Sequence, residues 1–305
     1  VAAMAPYRPG KSVAMAADEY GFDLEAVAES AKLSSNENPY PPVPSVVAAI
    51  VAAAGDVNRY GDHRAAELRE ALGAWLSVDP ERVATGCGSV GLLQQLFLTY
   101  VDPGDEVVYP WPSFEAYPVD VAITGGVEVA VPLVNHAFDL EAVADAVTPR
   151  AKLVVLANPN NPTGTAVHVD QIRGLLQQVP DDVLVVVDEA YREFTTIDLG
   201  DPITDLMPDY PNVVVLRTFS KAYGLAALRT GYGIADPSVV TQIDKVLIPF
   251  AVNHLAQAAS LAAIEARDEA RVIIDRLVSE RDRVVDALRG DGWEVPDAHA
   301  NFVWL

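Results

Sequence analysis

Apolar positions follow two alternating patterns along the chain. Between about Val83 and Ile234, short runs that are apolar at nearly every position alternate with longer segments of helical spacing. The runs predict strands over Arg82–Thr85, Glu106–Tyr109, Val127–Val131, Lys152–Ala157, Val183–Val187, Val213–Arg217 and Tyr232–Ala235. Val-Leu-Val-Val-Val at 183–187 has no polar face, as expected of a parallel strand covered by helices on both sides. Helices are predicted over Ala65–Leu76, Val90–Leu98, Leu140–Ala146 and Val169–Gln178, with one long helix from about Asn253 to Leu288.

The two ends read differently. The first 35 residues open on an extended Pro6-Tyr7-Arg8-Pro9-Gly10-Lys11 stretch, and Pro39-Tyr40-Pro41-Pro42 makes a stiff loop. Gly290-Asp291-Gly292 closes the long helix, and Trp293–Pro296 and Ala300–Leu305 read as opening strands of another layer. Two or three strands cannot bury a sheet face alone. The expectation is therefore α/β: a large domain over 36–250, built on a mostly parallel seven-stranded sheet covered by helices. A smaller α+β domain over 1–35 and 251–305 reads as truncated at its C-terminus. A length of 305 residues suits two domains.

Charge narrows the partners. With 21 Lys and Arg against 43 Asp and Glu, the formal net charge is -22 and no basic run exists. Nucleic acid and anionic membrane surfaces both need clustered cations, so neither is expected as a partner. Half the residues are hydrophobic, which excludes a disordered acidic chain. The single cysteine, Cys87, cannot form an internal disulfide and suits a reducing compartment. The wholly apolar stretch Val46–Ala54 is far short of the ~20 residues a bilayer span needs, and no leader pattern opens the chain. A cytoplasmic enzyme acting on small molecules is expected, without a metal site.

Candidate chemistry sits where three apolar strands stop. Lys152–Ala157 runs into Asn158-Pro159-Asn160-Asn161-Pro162-Thr163-Gly164; Val183–Val187 runs into Asp188-Glu189-Ala190-Tyr191; Val213–Arg217 runs into Thr218-Phe219-Ser220-Lys221. Ligands of open parallel sheets bind beyond the carboxyl ends of the strands. Taken singly, these are turn residues, a helix cap and a surface lysine. Together they bring an amide pair, a carboxylate, a phenol and a lysine to one cleft. A fourth element, Gly86-Cys87-Gly88-Ser89 ahead of a helix beginning near Val90, offers free N–H groups to an anion. It is neither a Walker A loop nor a dinucleotide fingerprint. Pyridoxal 5'-phosphate needs this set: an amine for its aldehyde, a carboxylate for its ring nitrogen, donors for its phenolic oxygen and a phosphate cradle.

The segment Ser220-Lys221-Ala222-Tyr223-Gly224-Leu225-Ala226-Ala227-Leu228-Arg229-Thr230-Gly231-Tyr232, with Asn160–Gly164 and Asp188–Tyr191, resembles the fold-type I pyridoxal-phosphate aminotransferases. Within them the chain is similar to the histidinol-phosphate aminotransferase family, from Ser35-Asn36-Glu37-Asn38-Pro39 through Asn58-Arg59-Tyr60 to Ala300-Asn301-Phe302. The resemblance implies that Lys221 forms the Schiff base and shuttles the proton, that Asp188 partners the pyridinium, and that Asn161 and Tyr191 hold the phenolic oxygen. It places Gly88, Ser89 and Val90 at the amide cradle, with Ser220, Arg229 and the nearby Thr218 as further phosphate ligands. Phe114 takes the ring-stacking position, where the family often has Tyr. Tyr60 matches a tyrosine that reaches the partner subunit's cofactor phosphate, which implies a homodimer; Tyr7 and Asn36 match positions lining the substrate pocket.

Gly86–Val90 and Thr218–Leu225 look more like the aromatic, phenylalanine-using branch than the histidinol-phosphate branch. The expected reaction moves an amino group between an aromatic L-amino acid and a 2-oxo acid such as 2-oxoglutarate. Histidinol-phosphate transamination is the alternative; a related decarboxylase and an inactive cofactor-binding fragment stand behind it. In the family, an arginine gripping the substrate carboxylate lies beyond the Asn301–Trp304 segment. The expectation follows that these 305 residues bind the cofactor but transaminate poorly.

Overall fold

Seven strands join into a single sheet in the computed structural model, which describes residues 10–25 and 32–305. Helices α1 (Val13–Tyr20), α2 (Pro44–Ala53) and α3 (Ala66–Leu76) precede the first strand. Next come β1 (Val83–Gly86), α4 (Gly88–Tyr100), β2 (Glu106–Trp111), α5 (Ala116–Thr124), β3 (Val127–Pro132) and α6 (Leu140–Asp145). The chain continues through β4 (Ala151–Ala157), α7 (Val169–Leu176), β5 (Leu184–Asp188), α8 (Pro202–Asp205), β6 (Val213–Thr218) and β7 (Gly231–Ile234). Helices α9 (Pro237–Lys245), α10 (His254–Glu265) and α11 (Arg267–Gly290) complete it. All seven expected strands are present.

The spatial order is β1-β7-β6-β5-β4-β2-β3. Pairs β2–β3, β2–β4, β4–β5 and β5–β6 are parallel, whereas β7 runs antiparallel to both β1 and β6. The reason lies in the 219–230 connection. Parallel pairing needs a crossover that returns the chain to the far end of the sheet. This connection holds only a short 3₁₀ turn, Ala226–Leu228, so the chain stays at the end of β6 and β7 heads straight back. Ser220, Lys221 and Arg229 are thereby kept at one edge of the sheet.

The continuous apolar strands serve two cores. Val154, Leu156, Val185, Val187, Val213 and Val215 face one buried cluster, and Leu153, Val155, Leu184, Val186, Val214 and Leu216 face the other. Alternate side chains of a strand point to opposite faces, so a doubly covered strand has no position left for a polar residue. The first polar residue of β5 is Asp188, its last.

Two expectations change. The long C-terminal helix is two helices, broken at Ala266 (φ -91°, ψ 22°). Small buried residues Ala256, Ala259 and Ala263 let α10 lie against α2, whereas α11 buries Ala270, Ile274 and Val278 and packs against the Arg192–Phe194 turn. One straight axis cannot serve both surfaces. Residues 293–305 form no strand, because no neighbouring strand offers them a ladder. Side chains and a loop satisfy them instead: buried Arg281 donates to the Ala300 carbonyl at 3.1 Å, and the His299 N–H donates to the Gly164 carbonyl at 2.8 Å. Of the stretch expected to be extended, Pro6 to Pro9 lie outside the described residues; beyond it Ser12 caps α1 and Gly21, at φ +70°, ends that helix. Among the described residues no helix is long and apolar enough to cross a membrane.

Candidate active site

Strand ends supply the site. A cavity of about 900 Å³ lies beyond the carboxyl ends of β4, β5 and β6 and beside the start of α4. Asn36, Ser89, Val90, Phe114, Asn161, Asp188, Tyr191, Thr218, Ser220, Lys221 and Arg229 all line it. Gly88 lies just outside, under the Arg229 guanidinium. Tyr60 is not at the cavity: it is 82% exposed and stacks on Phe250, ring centroids 4.4 Å apart. Tyr7 lies outside the described residues.

Helix α4 begins at Gly88, two residues earlier than expected, so Gly88, Ser89 and Val90 form its first turn. N–H groups of a first turn have no intrahelical acceptor and present a positive dipole end. Two glycines make the approach possible. Gly88 adopts φ +75°, and a Cβ there would stand 2.7 Å from Arg229 Nη2. At Gly231 a Cβ would stand 2.4 Å from the Ser89 backbone nitrogen. Thr218 Oγ1 lies 2.9 Å from Ser220 Oγ and accepts the Ser220 N–H at 3.1 Å. Arg229, itself left-handed at φ 55°, donates to the Ala226 carbonyl at 2.9 Å and reaches Ser220 Oγ at 3.4 Å. Two hydroxyls, a guanidinium and a helix start thus surround one corner of the cavity.

Asp188 forms the floor. It is buried, and its Oδ1 has no partner among the described residues. Tyr117 donates to Oδ2 at 3.3 Å. Burial raises the Asp188 pKa to about 6, against the opposing hydrogen bonds from Tyr117 and the Ala190 N–H. A carboxylate buried with one oxygen unpaired is costly unless a donor or cation meets it. Behind it, buried Glu189 pairs with Arg217 at 2.7 Å and Arg192 at 2.7 Å, which ties the end of β5 to β6.

Lys221 reaches in from the loop after β6. Its ammonium donates to the Ser35 carbonyl at 3.0 Å and stands 5.8 Å from the centre of the Tyr191 ring. Desolvation, reinforced by nearby Arg229 and opposed by Glu37, lowers its pKa to about 8. Asn36 donates to the Tyr191 hydroxyl at 3.2 Å, and Asn301 donates to the Asn36 carbonyl at 3.0 Å. The first amide of the Asn160-Asn161 pair does different work from Asn161. Asn160 is buried, accepts from Ser113 Oγ at 2.8 Å and donates to Thr163 Oγ1 at 2.9 Å, bracing the loop.

Asp120 and Trp304 also line the cavity, and Tyr117 reaches Asp188 from behind it; no sequence motif marks these three. Tyr117 follows Phe114 by three residues at the start of α5, a spacing that places both rings on one side of a helical turn. Asp120 and Trp304 carry no comparable signal.

A lysine with a lowered pKa, a buried half-paired carboxylate and an anion cradle around one cavity define a site for a phosphate-bearing aldehyde cofactor. Family comparison makes the class specific. Residues 28–305 match the family model described as aminotransferase class I and II, and the chain belongs to that family. It is 53% identical over 300 residues to the aromatic amino acid aminotransferase of Thermobifida fusca (strain YX), covering 98% of this chain and 81% of that protein. It is 50% identical over 276 residues to the enzyme of the same name from Streptomyces coelicolor, covering 90% and 77%. Among solved structures, histidinol-phosphate aminotransferase from Sinorhizobium meliloti in complex with pyridoxal-5'-phosphate superposes with a TM-score of 0.89 at 34% identity. That match covers 97% of this chain and 79% of that one.

Proposed function

We propose that this cavity holds pyridoxal 5'-phosphate on Lys221 and transfers an amino group between a phenylalanine-like L-amino acid and a 2-oxo acid such as 2-oxoglutarate. One observation carries the reading: Lys221, the unpaired Oδ1 of Asp188 and the Ser89–Ser220–Arg229 corner all face the same cavity. Pyridoxal 5'-phosphate supplies an aldehyde for the lysine amine and a ring that draws electrons from the substrate carbon.

The residues divide the work. Lys221 Nζ, free of its proton above about pH 8, is the nucleophile and the group that carries a proton to and from the substrate carbon. Asp188 Oδ1, ionised above about pH 6, would accept the N–H of the cofactor ring. Asn161 and Tyr191 hold the phenolic oxygen. The first-turn N–H groups of Gly88, Ser89 and Val90, with Thr218, Ser220 and Arg229, bind the phosphate dianion. Phe114, which lines the cavity, would offer its ring to the cofactor's face. Asn36, through its bond to Tyr191, and Tyr7 belong to the substrate side.

The aromatic reading rests on the cavity wall and on the relatives. Val90, Trp111, Val119, Ile123 and Trp304 give that wall an apolar surface. Among the described lining residues the only Lys or Arg are Lys221 and Arg229, both committed to the cofactor, while Glu37, Glu115 and Asp120 are acidic. The histidinol-phosphate reading keeps support from the Sinorhizobium meliloti structure.

We further propose a homodimer in which Tyr60 serves the partner's site; its exposure and its absence from the described lining of its own chain's cavity support this. The proposed division, 36–250 as the large domain and 1–35 with 251–305 as the small one, is joined by α10, which packs on α2 and α3.

The decisive experiment is an absorbance titration of the cofactor-free protein with pyridoxal 5'-phosphate. A visible band that Lys221→Ala abolishes is expected; no band, or a band indifferent to that substitution, overturns the reading. Competition between phenylalanine and histidinol phosphate for the loaded protein, read as loss of the same band, decides the substrate.

A further inference from the structure

We propose that Tyr117 is the positioning residue of the ring slot: its ring sets Phe114, its hydroxyl sets Asp188, and the spacing between the two follows from it. This rests on the cofactor reading above.

Tyr117 is fully buried at the start of α5, between the two groups assigned to opposite aspects of the cofactor ring. Its ring meets Phe114 edge-on, centroids 5.7 Å apart at 87°, and meets Tyr109 of β2 at 5.7 Å and 61°. Edge-to-face contacts of this kind fix ring orientation, because a positive ring edge points at a negative face. Tyr109 in turn donates its hydroxyl to Glu128 at 2.8 Å, so this packing is anchored to β3 as well. Among the described residues the Tyr117 hydroxyl has one hydrogen-bond partner, Asp188 Oδ2 at 3.3 Å. Oδ1 is then left for the cavity. Carboxylate and stacking ring are thus referred to one rigid side chain, although they come from elements 74 residues apart in sequence (Phe114 to Asp188).

The electrostatic consequence is specific. Burial drives the Tyr117 hydroxyl well above its ordinary pKa, so it stays a donor and favours the ionised form of Asp188. The other titratable groups facing this pair are Asp120 from α5 and Glu189 and Tyr191 from the continuation of β5, with Lys221 across the cavity. Asp120 and Glu189 are acidic and work against ionisation of Asp188 or Tyr117, which leaves the Tyr117 hydrogen bond as the side-chain contact that supports the carboxylate.

The test is cofactor affinity against pH for wild type, Tyr117→Phe, Asp188→Asn and the double variant, read by absorbance and fluorescence titration rather than turnover. Wild-type affinity is expected to fall on acidification through about pH 6, as Asp188 takes up its proton. Tyr117→Phe keeps the ring but not the donor. Its midpoint should move up by about one pH unit, so that affinity is about tenfold weaker near pH 5 but only about twofold weaker at pH 7. In the Asp188→Asn background the same change should do nothing. Titration of the free cofactor cancels between variants. A folded Tyr117→Phe protein with an unmoved midpoint, or a uniform loss of affinity at all pH values, overturns the inference. Should that variant not fold, Tyr117→His, which retains a ring donor, decides: a midpoint at or below the wild-type value supports the role and a raised one refutes it. Absence of any band in the wild type would instead defeat the cofactor reading itself.

Discussion

Asp188 is expected to weaken the fold it sits in until a cation reaches it. Its carboxyl is buried, and its pKa rises from 3.8 to about 6. Two units correspond to about 3 kcal/mol. The sign follows from proton uptake: between about pH 4 and pH 6 the folded chain binds a proton that the unfolded chain has already released. Stability from this site is therefore highest in acid and declines as pH rises to about 6, where the full cost is reached. Asp188→Asn removes the titration. In the cofactor-free protein, the stability of wild type minus that of the variant should fall by about 3 kcal/mol between about pH 4 and about pH 8. In thermal unfolding this is roughly 6 °C in Tm for a chain of this size. The comparison is made at each pH, so any constant cost of burying an amide cancels. Saturating pyridoxal 5'-phosphate should reverse the order, because Oδ1 then has a cation and wild type gains more from binding. A difference that stays flat to within about 1 kcal/mol across the range would refute the account of Asp188 as a buried, half-paired acid.

Three further outcomes are expected. The rate of cofactor capture, followed by stopped-flow absorbance, should climb with pH and level off above about 8, where Lys221 is neutral; a rate independent of Lys221 protonation would contradict its placement. Gly88→Ala puts a methyl 2.7 Å from Arg229 Nη2 at φ +75°, so it should cost on the order of 1–2 kcal/mol in chemical denaturation and weaken cofactor binding about tenfold or more. Arg217→Ala leaves Glu189 buried with Arg192 alone and should destabilise by about 3 kcal/mol, seen as a lower urea midpoint; an effect under about 1 kcal/mol would show that Arg192 suffices.

Strand content was legible because its cause is local. A strand covered on both faces must be apolar at every position, so 183–187 and 213–217 announce themselves, and the first polar residues after them mark the cavity's edge. The same reasoning places Lys221, Asp188 and Asn161 together from sequence, since parallel strands of one sheet end on the same side. Helix α4 read two residues short because Gly88 and Ser89 carry turn propensity, and only packing under Arg229 makes them a first turn.

What local pattern cannot encode is pairing at a distance. The reversal of β7 depends on a connection that never leaves the site, and the break at Ala266 depends on which surfaces α10 and α11 must meet. Residues 293–305 have strand-like side chains but no partner ladder, and a strand exists only where its N–H and C=O groups are met by another. Tyr117 makes the same point at the site. Its sequence context is an ordinary amphipathic turn, and its importance comes from the two side chains that tertiary structure sets against it. The sequence by itself determined which residues are chemically equipped; the tertiary structure decided which of them touch. Composition and periodicity act over a few residues, whereas hydrogen-bond and ring geometry are settled between elements that may lie seventy residues apart (Phe114 and Asp188).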